Sequence, residues 1–205
     1  GWCRAVTGGE HAVRPPRPPL DPVRVAPATL ACLPDMTSGR LRALLARWPG
    51  PIAALAAVER GLAAGVLVAN AREEEIAGRM QLAQRWAERA AHPSISDALA
   101  RRHTHVFVKG RPGYPIVDDL PGMPEVILAE GDGLHAFERP RVAIVGTRAA
   151  TSQGLADARE IGAVLGDAGI TVVSGLAIGI DAAAHEGAIE AGGPVVGVVA
   201  TGLDV

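Results

Sequence analysis

Residues 141–154 read RVAIVGTRAATSQG, and this stretch decides the fold. A short run of apolar residues ends at Gly146, a Thr147-Arg148 pair follows, and a helical pattern starts near Ser152 and runs to about Asp167. The same grammar returns twice downstream. ITVVSG (170–175) is followed by a helix from about Ile180 to Ala191, and PVVGVVATG (194–202) supplies a third strand. Alternating strands and helices with fully apolar strands predict right-handed crossovers and a parallel sheet buried on both faces. The fold class read from this is α/β, a Rossmann-like parallel sheet.

Working outward, HVFVK (105–109) and EVILAE (125–130) read as strands separated by the turn-rich GRPGYP (110–115). Before His92-Pro93 the period is helical. Thr37 or Ser38 caps a helix with Leu41, Leu44, Leu45 and Trp48 on one face, and Pro49-Gly50 ends it. A second helix runs from Ile52 through Leu55, Ala56 and Val58 to Gly61. A third begins at the acidic turn Glu73–Glu75 and places Ile76, Met80, Ala83 and Ala87 on one side. The expected organisation is a Pro-rich tail without packed structure at 1–20, a small helical domain at 21–95, and a Rossmann-like core at 96–205, incomplete at its C-terminal end.

Composition limits the function. Apolar residues make up 48% and charged residues 20%, the balance of a globular protein and not a disordered one. A net charge of −2 removes any broad basic field for nucleic acid, so a phosphate site has to be local. Aromatics at 3% argue against a binding sheet built on base stacking. Cys3 and Cys32 have no metal-ligand spacing and give no disulfide framework, which fits a reducing, cytoplasmic setting. No apolar run reaches the length of a membrane span. Gly1 at the start and TGLDV (201–205) at the end read as the ends of a piece of a longer protein.

In an open parallel sheet, ligands bind beyond the carboxyl ends of the strands, where loop amides and helix N-termini converge. Three such ends are visible: Gly146-Thr147-Arg148, then Ser174 to Asp181, then Thr201 to Asp204. Glycine beside a hydroxyl residue lets the backbone approach an anion closely, so a phosphate-bearing ligand is the expected guest. Neither G-x-G-x-x-G after the first strand nor GxxxxGK[ST] occurs, which weighs against dinucleotide or P-loop chemistry. Arg148 offers a planar fork for a phosphate, or it pairs with a carboxylate such as Asp181 to tie two loops together; the residues leave both open. Asp181 and His185 share a helix face, but an acid in a first helical turn and a packed histidine account for them without catalysis or metal. Ser174 lacks the G-x-S-x-G elbow. No catalytic residue, metal ligand or cofactor site emerges.

At these loops the sequence resembles a known family. RVAIVGTRAATSQG, VVSGLAIGIDAAAHEGAIEAGG and VVGVVATGLD match in order and spacing the core of the DNA-processing protein A (DprA, or Smf) family. GYP (113–115) and the P-x-V-I-L-x-x-G-D segment at 124–132 resemble its lead-in, and residues 24–65 resemble its small helical (helix-hairpin-helix or SAM-like) domain. The resemblance implies a non-enzymatic, cytoplasmic protein that binds single-stranded DNA and loads a RecA-type recombinase in natural transformation, homodimeric at full length. It places the family's G-[ST]-R motif on Gly146, Thr147 and Arg148. Its S-G-L-A-x-G motif falls on Ser174, Gly175, Leu176, Ala177 and Gly179, and these eight residues would grip the DNA backbone. Many members carry arginine where this chain has Ile178, which removes a positive charge. Further family strands follow the G-L-D motif, so the last strand here is expected to be an unpaired or ill-ordered edge. The alternative is a nucleotide-binding enzyme on a related scaffold, such as a nucleotide phosphoribohydrolase, whose P-G-G-x-G-T loop and downstream glutamate are not found before Val205.

Overall fold

The structure is a computed structural model describing residues 2–4, 21–92, 94–102, 104–115, 122–131 and 134–200. The chain divides into two compact units: one from Arg17 to Ile127, the other from Leu128 to Val205 together with the first residues of the chain.

The helical unit holds α1 (Pro22–Ala31), α2 (Ser38–Arg47), α3 (Pro51–Glu59), α4 (Ala64–Val68), α5 (Glu73–Ala90) and α6 (Ser94–Arg102). Local chemistry fixes the starts. Asp21 accepts from the Val23 amide at 2.9 Å, and Thr37 accepts from the Arg40 amide at 3.2 Å, each satisfying an orphan donor of a helix's first turn. Leu41 and Leu44 of α2 are buried, as their spacing requires. The centre of the unit is Trp86, fully buried, whose indole N–H donates to the Pro34 carbonyl at 2.7 Å. Leu30, Leu44 and Val58 are fully buried in the same unit.

Two expectations for this region are corrected. The buried face of α5 is Leu82, Ala83, Trp86 and Ala90; Ile76 and Met80 are exposed, while Arg79 between them reaches the Leu67 carbonyl of α4. The helical unit also reaches Ile127 and not 95, because α1 packs on both α6 and β2 (His105–Val108), which keeps those elements with the helices. β2 and β3 (Val126–Ala129) form a two-stranded sheet, and the chain leaves the helical unit within β3.

The second unit is the α/β body. Its elements are β4 (Arg141–Ala143), α7 (Ser152–Asp167), β5 (Thr171–Ser174), α8 (Ile180–Glu190) and β6 (Val195–Val199), in the order and nearly within the bounds the sequence implies. β4 pairs with β5 and β5 with β6, both parallel, with Val142 opposite Val172 and Val172 opposite Val195. Alternate strand residues face opposite sides. Val172 and Val195 pack with Ala158, Ala183, Ala184 and Ala188 under the two helices, while Val173 and Val196 pack with Ala136 and Phe137 from a 3-10 turn at Leu134–Phe137.

Three features of this sheet depart from expectation. β1 (Trp2–Arg4) pairs antiparallel with β6, Trp2 opposite Val199, so part of the expected Pro-rich tail belongs to a sheet. The remainder of that tail, residues 5–20, lies outside the described residues. The order β1-β6-β5-β4 therefore makes β6 an internal strand, not an unpaired edge. β4 instead forms an edge, and it is exposed along its length, because no described element covers its outer side; full burial on both faces holds only for the middle of the sheet.

Candidate nucleic-acid interface

The carboxyl ends of β4 and β5 open into two loops, residues 144–151 and 175–179, and the N-terminus of α8 rises between them. Packing forces the two loops together. A Cβ at Gly179 would stand 2.4 Å from the Thr147 carbonyl oxygen and 3.0 Å from the Arg148 Cα, so only glycine permits this approach, and its φ of +94° suits only glycine as well. The Ile180 amide, first of α8, donates to the Thr147 carbonyl at 3.3 Å. Ile180 also fills the space over Gly146, where a Cβ would meet its side chain at 2.6 Å. The Ser174 hydroxyl donates to the Ile144 carbonyl at 2.6 Å, linking the two strand ends.

Asp181 stands at the centre of this arrangement with 5% of its surface exposed. The Gly146 amide donates to its Oδ1 at 3.2 Å and the Gly175 amide to its Oδ2 at 3.0 Å. Burial pushes its carboxyl pKa up, but the hydrogen bonds from Gly146, Ser174, Gly175 and Ala177 outweigh it and hold the group below the usual aspartate range. A serine hydroxyl has one proton, so Ser174 serves either the Ile144 carbonyl or the carboxylate at a given moment, and at 2.6 Å the Ile144 carbonyl is within its reach.

All eight residues singled out from the sequence sit at this rim, but their roles divide. The amides of Gly146 and Gly175, expected to face an anionic guest, are taken by Asp181. Thr147 accepts from the Ala149 amide at 3.1 Å, which shapes the first loop. Arg148 is exposed and has no ion pair or hydrogen-bond partner among the described residues, which removes the alternative of an Arg148–Asp181 tie. Leu176 has a φ of +56°, a conformation a leucine seldom adopts, and its side chain lies over Gly197, where a Cβ would meet it at 2.4 Å. Ile178 is 72% exposed on the same loop. The third strand end, Thr201 to Asp204, lies outside the described residues. The contribution of Asp181 was missed in the sequence, where a first-turn acid carries no sign of which amides it meets.

His185, one turn further along α8, is buried with its Nε2 lacking a hydrogen-bond partner. Burial drives its pKa down; the backbone of Val172, the Asp181 charge and the backbone of Val196 oppose this without reversing it, so burial favours the neutral ring. No group of three or more potential metal ligands occurs among the described residues, and no helix among them is long and apolar enough to cross a membrane.

A parallel sheet with both crossover helices on one face and loops converging at its carboxyl rim defines a Rossmann-like body. Comparison with known proteins narrows the class. Residues 105–205 match the family described as DNA recombination-mediator protein A. A putative DNA processing protein DprA of Mycobacterium tuberculosis is 32% identical over 91% of this chain and 48% of its own length. DNA processing protein DprA of Streptococcus pneumoniae is 36% identical over 54% of this chain and 40% of its own length. The X-ray structure of DprA from Streptococcus pneumoniae superposes with a TM-score of 0.55 and 25% identity, covering 91% of this chain and 60% of the other. These matches support the DprA/Smf family for this chain, with residues 105–205 carrying the family match. The chain spans less than half the length of the curated relatives it matches.

Proposed function

We propose that this chain carries the DNA-gripping part of a recombination mediator, which binds single-stranded DNA through backbone phosphates and, as part of the whole protein, loads a RecA-type recombinase during DNA processing in natural transformation. The observation that carries this reading is the exposed Arg148 guanidinium, unpaired among the described residues, at a rim where two loops and the N-terminus of α8 meet. An unpaired planar fork at a positive helix end is suited to a phosphate oxygen pair. The amides of Leu176 and Gly179, which have no partner among the described residues, lie on the loop that touches the Arg148 backbone and supply further donors. The exposed Thr147 hydroxyl adds to the rim, while the buried Ser174 hydroxyl supports it from within by bonding the Ile144 carbonyl. Contacts of this kind address the backbone and not base edges, so binding is expected to vary little with sequence. The reading includes no chemical step, and dimerisation belongs to the whole protein.

The test is fluorescence anisotropy with a labelled oligothymidylate at several salt concentrations. Arg148→Ala is expected to weaken binding similarly for all sequences and to lower the slope of log K against log salt by about 0.7, the loss of one phosphate contact on a single strand. An unchanged affinity and slope would refute the assignment of Arg148.

A further inference from the structure

The rim presents an apparent contradiction: its two glycine turns have the form of an anion nest, yet the nest is already filled. The anion inside it is the protein's own. Asp181 accepts from Gly146 on the loop after β4 and from Gly175 on the loop after β5, one oxygen to each. These loops come from different strands. The other links among the described residues include the Ile144 amide to Val173, the Ser174 hydroxyl to Ile144, the Ile180 amide to Thr147, the Ile180 side chain over Gly146, and the close approach of Gly179 to Thr147 and Arg148. Asp181 is buried, so its carboxylate is neither screened by solvent nor open to a DNA phosphate.

We propose that Asp181 is a positioning residue for DNA binding, an internal anion that occupies the amide nest and fixes the two loops so that Arg148 is held outward toward the phosphate. This rests on the single-stranded DNA reading of the rim. Two physical points support it. A carboxylate accepting from two backbone amides makes charge-assisted bonds about twice as strong as neutral ones, and in a buried setting they fix geometry as well as contribute energy. A glycine amide bonded to a fixed internal acceptor also cannot follow a mobile ligand, so the loop carrying Arg148 keeps one shape whether or not DNA is present. Around the carboxylate stand Ser174 from β5, the Gly146, Gly175 and Ala177 amides, and His185 from the next turn of α8; Arg148 forms no ion pair with it.

The proposal makes a prediction opposite in sign to simple electrostatics. Asp181→Asn removes a negative charge beside a polyanion site, and Coulomb attraction alone would then tighten binding. If the residue positions the loops, binding weakens. The asparagine amide offers one acceptor oxygen and one NH2, so one of the two glycine amides faces a donor and its loop is released. Single-stranded oligothymidylate binding by the 205-residue chain is measured by anisotropy at several salt concentrations, at a temperature where circular dichroism shows the variant folded. The expected result is an affinity lower by on the order of tenfold with an unchanged salt slope, because no phosphate contact has been removed. Tighter or unchanged binding by folded Asp181→Asn overturns the proposal.

A second measurement needs no variant. In the wild-type chain, the amide proton shifts of Gly146 and Gly175 are followed by NMR as pH is lowered. Both are expected to titrate together with one midpoint below the ordinary aspartate range; separate or absent titration overturns the lock, and this decides the matter if Asp181→Asn fails to fold. Failure of the DNA reading is distinguishable, since wild-type chain showing no salt-dependent oligonucleotide binding refutes that reading while the amide titration still judges the lock.

Discussion

Replacing Gly162 by alanine adds one methyl group to the middle of α7, and two opposing effects decide the outcome. In a helix interior, alanine is favoured over glycine by about 0.8–1 kcal/mol. Against this, the new Cβ would lie 2.1 Å from the Ala184 carbonyl oxygen, 2.9 Å from its carbon and 3.1 Å from its Cα. An ordinary carbon–oxygen contact is about 3.3 Å, so roughly 1.2 Å must be found. The opposing atoms are backbone of α8 and cannot rotate away, so one helix must move. The crossing is tight elsewhere too: a Cβ at Gly187 would meet the Arg159 carbonyl at 2.0 Å, and one at Gly166 the Ala188 carbonyl at 2.7 Å. A shift of α8 loosens the alanine and valine cluster beneath it. Overpacking of this kind costs about 1–3 kcal/mol, so after the propensity gain the net effect is a loss of up to about 2 kcal/mol, or up to roughly 16 °C in the melting temperature of a unit this size. Gly78 supplies the internal control, because it lies inside α5 with nothing within 4 Å of an added Cβ. Gly78→Ala should gain the propensity term alone. Amide hydrogen exchange separates the two units: Gly162→Ala should speed exchange across residues 152–190 and leave α5 unchanged, while Gly78→Ala should slow exchange in α5. Gly162→Ala stabilising α7 as Gly78→Ala stabilises α5 would refute the close-packing argument.

Two further expectations follow from buried polar groups. His185 is held neutral, with a pKa below its ordinary 6.5, so the unfolded chain binds a proton first; its contribution is complete above pH 6.5 and is lost as pH falls below that value. Urea melts of the wild type and of His185→Gln from pH 8 to 5 check this: the wild type should lose stability over that window by at most about 1.4 kcal/mol per pH unit from this group, and the variant should lose less. Trp86→Phe removes the buried indole donor to the half-buried Pro34 carbonyl, which should cost the helical unit about 0.5–1.5 kcal/mol in a denaturant melt followed by circular dichroism.

Much of the α/β body was legible because its signals are local. Thr151 caps α7 by accepting from the Gly154 amide, and the bounds of α7 come out at Ser152 and Asp167 because cap and apolar period agree. β5 and β6 read as strands from their valine runs, and the eight rim residues come together because strand ends in a parallel sheet share one edge. What was not legible depends on partners distant in sequence. Nothing in Trp2–Arg4 announces that it pairs with Val199. Ile76 and Met80 have the period of a buried face, yet both are exposed, because which side of α5 is covered depends on helices distant in sequence. The Asp181 contacts span 35 residues to Gly146, and an acid in a first helical turn reads equally well as a response to the helix dipole alone.

The charge of the α/β unit gives Asp181 added weight. The unit carries six arginines against eleven acidic residues, a formal net charge of −5, while the helical unit carries fourteen cations against eleven acids. A phosphate site on so acidic a body cannot rely on long-range attraction; it needs nearby carboxylates to be engaged elsewhere. Along α8 they are. Arg159 of α7 bonds both Glu186 and Glu190, which lie about 7 and 13 Å further down the helix axis than Asp181 and away from the rim. Asp181, the acid closest to the rim on that helix, is buried and bonded to amides. With these three carboxylates occupied internally, Arg148 is left without a competing anion from α8, and its guanidinium can meet a phosphate without first breaking an ion pair.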